Sequence, residues 1–191
     1  MDQAMAQGGV SWAPTRYTLS MKATGEHFAF VASARRATDG RFRFVWTLDA
    51  GKRGPGEHRH DGETEVFEVV SGTLRIWREG VPEDFGPGQR CTVGPGVRHR
   101  FLNPGTTPVV VRVSLDGPRM EDTLVPLAVA THGRVPRVGD MLRMVAGMGR
   151  PHASTPASAP ASAAMHAVAT LLQALGVKPF APVQGWDAPA A

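Results

Sequence analysis

The chain has 191 residues, of which 42% are hydrophobic and 20% charged, a composition that suits one soluble domain with appendages. The formal charge is +4, carried by 18 arginines and 3 lysines that are scattered along the sequence. With no block of about five or six like charges, this basicity reads as a solvated surface rather than a nucleic-acid-binding arm. Cys91 is the only cysteine, which rules out an internal disulfide and a cysteine-built zinc knuckle.

Residues 1–24 are rich in Ala, Gly and Gln, begin with an acid at position 2 and hold no apolar stretch. They read as an N-terminal arm, with neither a signal peptide nor a membrane span expected. No window elsewhere approaches the roughly 18 apolar residues of a spanning helix, so the expected compartment is the cytoplasm. From about residue 25 to 117 short apolar or alternating runs are punctuated by Gly, Pro and Asp, the pattern of an antiparallel β-protein. In 41–49 Phe42, Phe44, Trp46 and Leu48 share one face. Strands are predicted next at 63–70 and 73–78, and the Ser71-Gly72 pair between them predicts a hairpin. Residues 80–88 hold turns and one short strand; further strands are predicted at 89–93, 97–102 and 109–115. Cys91 lies in one of them and reads as a buried, inert thiol.

After Gly117 the pattern changes. Residues 121–130 and 140–148 read as helices, the second with Asp140 as N-cap and a stripe of Met141, Leu142, Met144, Val145 and Met148. Such a stripe reads as core or subunit packing. The segment 118–150 is therefore expected to pack on the β-domain or on a partner subunit. Residues 151–162 are low-complexity Pro, Ala and Ser, read as a linker. A short helix over 163–175, stopped by Gly176, leads into a Pro-rich tail ending the 163–191 segment.

Chemistry concentrates in two runs. The first, from Gly56 to Gly72, carries His58, His60 and Glu65; the second, from Gly88 to Asn103, carries His99. His58 and His60 are two apart, so a strand turns both to one side. The Asp61-Gly62 turn then allows Glu65 to come back beside them. His99 follows a Gly-Pro-Gly turn, with Arg98 and Arg100 pointing away. Singly, a His-x-His pair also fits solvated or hydrogen-bonded histidines. Together, three imidazoles and one carboxylate suit one divalent transition metal, whether Fe, Mn, Ni, Co, Cu or Zn. Glu57 and Glu63 flank these residues and read as solvated loop acids.

The two runs resemble the paired motifs of the cupin superfamily. The first motif is glycine, five residues, His-x-His, three or four residues, Glu, six residues, Gly; His58, His60, Glu65 and Gly72 match it. The opening glycine is displaced, with Lys52 in its place and Gly51 one earlier. The second motif is Gly, five residues, Pro-x-Gly, two residues, His, three residues, Asn. Gly88, Gly96, His99 and Asn103 match, while Gly94 holds the proline position and Pro95 follows it. The departures touch turn residues and leave all four ligand positions filled.

The resemblance implies a mainly β protein, a cupin-type jelly-roll β-barrel over 25–117 with a C-terminal α-helical extension. It implies metal ligation by His58, His60, Glu65 and His99, with Gly72 and Asn103 as structural turn residues. Phe67, Val69 and Phe101 would line a substrate pocket between the sheets. Fold does not give function, and the superfamily includes dioxygenases, isomerases, cyclases and sensory domains. The leading expectation is a metal-dependent enzyme on a small organic substrate, resembling the flavonol-cleaving dioxygenases, in which Glu65 is both ligand and catalytic base. The alternatives are a non-catalytic small-molecule-binding or sensory module and a metal-dependent isomerase or polyketide-type cyclase. A homodimer that binds neither nucleic acid nor membrane is expected.

Overall fold

The computed structural model describes residues 11–148, 155–156 and 158–187. The start of the expected arm (1–10), most of the first half of the expected linker (151–154 and 157) and the end of the tail (188–191) lie outside the described residues.

The strands follow one another as β1 (Thr18–Met21), β2 (Glu26–Ala32), β3 (Arg41–Leu48), β4 (His58–Arg59), β5 (Glu65–Ser71) and β6 (Leu74–Arg78). Next come β7 (Val81–Phe85), β8 (Arg90–Val93), β9 (His99–Leu102) and β10 (Val109–Asp116). Helices α1 (Arg119–Thr131) and α2 (Val138–Gly147) come after them, then a two-residue strand, β11 (Thr155–Pro156), and helix α3 (Ala159–Ala174). One sheet has the order β1-β2-β3-β10-β5-β8 and the other β11-β4-β9-β6-β7. From β3 to β10 the chain passes repeatedly from one sheet to the other, which is the jelly-roll path.

Alternation on β3 works as the sequence implies. Phe42, Phe44, Trp46 and Leu48 are all buried, and they meet Phe30, Phe67, Leu74, Ile76, Phe101, Val111, Val113 and Leu115 in a core between the sheets. Burying this apolar surface at roughly 25 cal/mol per Å² is the main force holding the two sheets face to face. Cys91 belongs to the same core, and burial pushes its thiol up to about 11, so it is inert as a nucleophile.

Two local expectations need correction. Ser71-Gly72 does not close a hairpin, because β5 and β6 belong to different sheets; it is the crossing between them. Gly72 has φ +81°, and a Cβ there would lie 2.9 Å from Val109 Cα, so only glycine fits. The hairpin is instead β6–β7, with Arg78 opposite Val81 and Glu79 and Gly80 both at positive φ, as a type I′ turn demands. Asp140 is not the N-cap of α2. Arg137 holds that place, and Asp140, three residues on, accepts its backbone N–H at 2.8 Å.

Among the described residues, the segments read as arm, linker and tail are also more structured than their composition suggests. Strand β1, inside the stretch read as an arm, pairs with β2 of its own chain. Strand β11, inside the stretch read as a linker, pairs with β4, and α3 starts at Ala159 with Ser158 as its side-chain cap. In the tail, Trp186 is buried against Phe30 and Phe42, with ring centroids at 5.9 and 6.1 Å. Its indole N–H donates to Glu121 at 2.8 Å. Glu121 in turn accepts from Ser33 Oγ at 2.6 Å and from the Ala34 N–H at 2.9 Å. A buried carboxylate with three donors is fully satisfied, and this one ties α1, the β2–β3 loop and the tail together.

Candidate metal centre

The four residues arrive from both sheets. His58 and His99 are direct partners on the adjacent strands β4 and β9, and their rings lie 4.2 Å apart between centroids. His60 follows β4, and its carbonyl accepts the Gly96 N–H at 2.8 Å, which ties its loop to the turn just before His99. Glu65 opens β5 in the opposite sheet, paired with Val93 and Leu115. All four side chains are buried.

Hydrogen bonds fix the tautomers of two of the rings. His58 Nδ1 lies 2.8 Å from the Gly56 carbonyl and His99 Nδ1 lies 2.9 Å from the Val97 carbonyl. A carbonyl only accepts, so each Nδ1 carries the hydrogen and each Nε2 keeps its lone pair. This is how second-shell contacts prepare histidines to ligate a metal. His99 Nε2 is buried and faces Glu65 Oε2 at 3.3 Å. His60 Nε2 lies 3.1 Å from the same carboxylate oxygen.

The ligand atoms of His58, His60 and His99 all lie within 4.8 Å of one another, a group that could hold a metal ion. Burial, together with His99 and His60 close by, pushes the His58 imidazole down to about 3, so it stays a neutral donor. Burial alone would raise the Glu65 carboxyl; the charges and hydrogen bonds of His60 and His99 overcome it and hold the group below the usual carboxylate range. Buried imidazole lone pairs beside an ionised carboxylate are a poor resting arrangement without a cation and a good one around it. The donor set therefore fits the divalent transition metal that the sequence motifs imply.

A cavity of about 180 Å³ opens beside the cluster. His58 and Glu65 form part of its wall, with Phe67 and Phe101 next to them. Val69 is not part of its wall; two residues beyond Phe67 on β5, it is buried in the core. Two parts of the wall were not anticipated from sequence. Met120, Thr123 and Leu124 from α1 and Met144 and Met148 from the region of α2 cover one side, so the methionine stripe packs partly against the cavity. Glu26 and Trp46, from β2 and β3, form another part.

Glu57 is exposed but Glu63 is not the solvated acid it was read as. It is 2% exposed, and its Oε1 accepts the Arg119 N–H at 2.9 Å, capping α1 from a distance. Asn103 is fully buried and donates to the Leu48 and Thr107 carbonyls at 2.9 and 2.8 Å, a turn-holding role away from the cluster. Its signal was present in the second motif; that of Glu63 was not, since nothing local distinguishes a helix-capping acid from a loop acid.

A family model for the cupin domain matches residues 44–116, the span from β3 to β10 that carries all four clustered residues. No curated protein sequence matches the chain. Among solved structures, the chain is similar to an RmlC-like cupin from Shewanella frigidimarina, at 17% identity over 63% of this chain and 96% of that one, with a TM-score of 0.46. It is similar to a cupin-superfamily sugar phosphate isomerase from Silicibacter pomeroyi, at 18% identity over 56% and 71% of the two chains and a TM-score of 0.45. The cupin domain of Cnp3 from Schizosaccharomyces pombe also matches, at 14% identity over 51% and 68%, with a TM-score of 0.43. What the family model identifies is a cupin domain over residues 44–116 of this chain.

Proposed function

We propose that this protein is a metal-dependent enzyme acting on a small organic molecule, of the dioxygenase type. In this reading His58, His60, Glu65 and His99 hold one divalent transition metal, and Glu65 also serves as base. The observation that carries it is the convergence of three buried imidazoles and an ionised carboxylate beside an apolar cavity whose wall includes His58 and Glu65. When bound, such an ion supplies Lewis acidity and a template for a substrate oxygen.

The chain's own residues supply the rest. His58 and His99 are held in the ligating tautomer by the Gly56 and Val97 carbonyls. Glu65 is ionised at neutral pH and so able to take a proton from a substrate hydroxyl in the cavity. Phe67, Phe101 and the methionines of the helical side keep water out, which strengthens each polar contact inside. The working unit is proposed to be a cytoplasmic homodimer; the exposed Leu171 and Leu175 at the end of α3 support an unfinished surface there.

Oxygen uptake by metal-loaded protein tests the reading, with a panel of phenols, flavonols and β-diketones. Consumption of oxygen with at least one class, lost in Glu65→Gln, is the expected result. Silence across the panel, with a ligand-induced rise in melting temperature, would instead favour the non-catalytic binding module. Rearrangement of a substrate without oxygen consumption would favour the isomerase or cyclase.

A further inference from the structure

The cavity has a second polar pole that the metal centre does not use. Glu26, on β2, is 7% exposed, and Trp46, on β3, is 3% exposed. Both line the cavity. Trp46 Nε1 is buried and makes no hydrogen bond of good geometry, but it is near enough to the Glu26 carboxyl to act on it, so the two form one polar pole. Burial raises the Glu26 carboxyl, an effect only partly offset by Thr24 and by Trp46 itself. Phe101 separates the poles: its ring centroid is 5.3 Å from that of Trp46 on one side and 5.8 Å from that of His58 on the other.

Charge and size narrow the occupant. Among the described residues no lysine or arginine lines the cavity, so a phosphate or carboxylate placed away from the histidines would find no counter-ion among them and would face Glu26. A buried, unpaired anion is strongly disfavoured. The volume of about 180 Å³ is only slightly larger than the roughly 150 Å³ of an apolar cavity that accepts benzene. One ring fits inside; the three rings of a flavonol do not, so any larger molecule would leave rings outside. Phe67, Phe101 and Phe44 supply aromatic walls for that ring.

We propose that the cavity selects a neutral single-ring hydroxyaryl compound. Its one oxygen faces His58 and Glu65, and its distal hydroxyl accepts from the Trp46 indole N–H and donates to Glu26. The proposal rests on the metal-centre reading for the first pole and is independent of it at the second. It adds Glu26 and Trp46 as specificity-determining residues.

Calorimetric titration of the full chain tests it with three probes: 4-hydroxyacetophenone, acetophenone and 4-acetylbenzoate. The protein is loaded with a redox-inert divalent ion, and its metal content is measured on the same samples. The expected result is that 4-hydroxyacetophenone binds about tenfold or more tighter than each of the other two. Glu26→Gln and Trp46→Phe remove that preference while acetophenone binding stays within about threefold. If Trp46→Phe does not fold, as read by circular dichroism, Glu26→Gln alone decides. Equal binding of the hydroxyl and carboxylate probes, a preference that survives Glu26→Gln, or no binding by any probe overturns the proposal. The metal content separates the two ideas. A hydroxyl preference in protein that takes up no ion sinks the metal-centre reading and leaves the distal pole standing; one ion with no preference does the reverse.

Discussion

Glu63 shows how a single side chain joins the metal loop to the helical side of the cavity. It sits two residues before Glu65 and caps α1 through the Arg119 N–H. Burial pushes its carboxyl up to about 7. Because the folded value lies above the unfolded one, the folded protein retains a proton that the unfolded chain has lost. The resulting stability is fully present below about 4.5 and is lost as pH rises through about 7. In metal-free protein, Glu63→Gln should remove this trend. Urea unfolding at pH 5 and pH 8 should show wild type losing about 2.5 kcal/mol more than the variant between the two pH values. Equal losses would mean that the carboxyl is ordinary. At this scale the sequence was informative wherever a motif fixed spacing. His58, His60, Glu65 and His99 meet because each lies at a strand end that the spacing defines. Glu63, Glu26 and Trp46 carry no such mark, because their roles come from contacts with residues far along the chain.

Elements were legible where alternation is strict and misleading where a turn was read alone. The β3 pattern was clear because four large apolar residues at every second position can bury only one face. Ser71-Gly72 looked like a hairpin because a glycine-containing reversal is the same local event whether the next strand pairs with the last one or crosses to the other sheet. What settles it lies elsewhere: β10 and β8 already occupy both edges of β5. Gly72→Ala should therefore be costly, since it demands a positive φ and brings Cβ to 2.9 Å from Val109 Cα. Thermal or urea unfolding should report a loss of more than about 2 kcal/mol, where Gly86, at which a Cβ would meet nothing closer than 3.7 Å, should tolerate alanine with little change. A small loss at Gly72 would show that the crossing can relax. The methionine stripe of α2 announced that one face is buried, but an amphipathic face does not say against what.

For the whole molecule, the helices and tail act as one piece with the sheets. Glu121 links α1, the β2–β3 loop and Trp186, and Trp186 closes the core over Phe30 and Phe42. Trp186→Ala should destabilise the protein by about 3–5 kcal/mol, read by urea unfolding, although the residue lies in a segment that looks like a loose tail. A change under about 1 kcal/mol would show the tail to be dispensable. No helix among the described residues is long and apolar enough to cross a membrane. Met120 and Leu124 of α1 and Met144 of α2 turn apolar surface to the cavity. The fold class was readable because two motifs and a run of short strands agree with one architecture. The cavity was not, because its walls come from β2, β3, β5, β9, α1 and α2 at once, and only the folded chain brings them together.

The account stands on one cation being gripped by His58, His60, Glu65 and His99. Elemental analysis of tag-free full chain, alongside His99→Ala and Glu65→Ala variants that keep the β-sheet circular dichroism signal, measures this directly. About one transition-metal ion per chain in the parent and a near-complete loss in His99→Ala is the expected result. An unchanged metal content in both variants, or none in the parent after loading with each candidate ion, would contradict it.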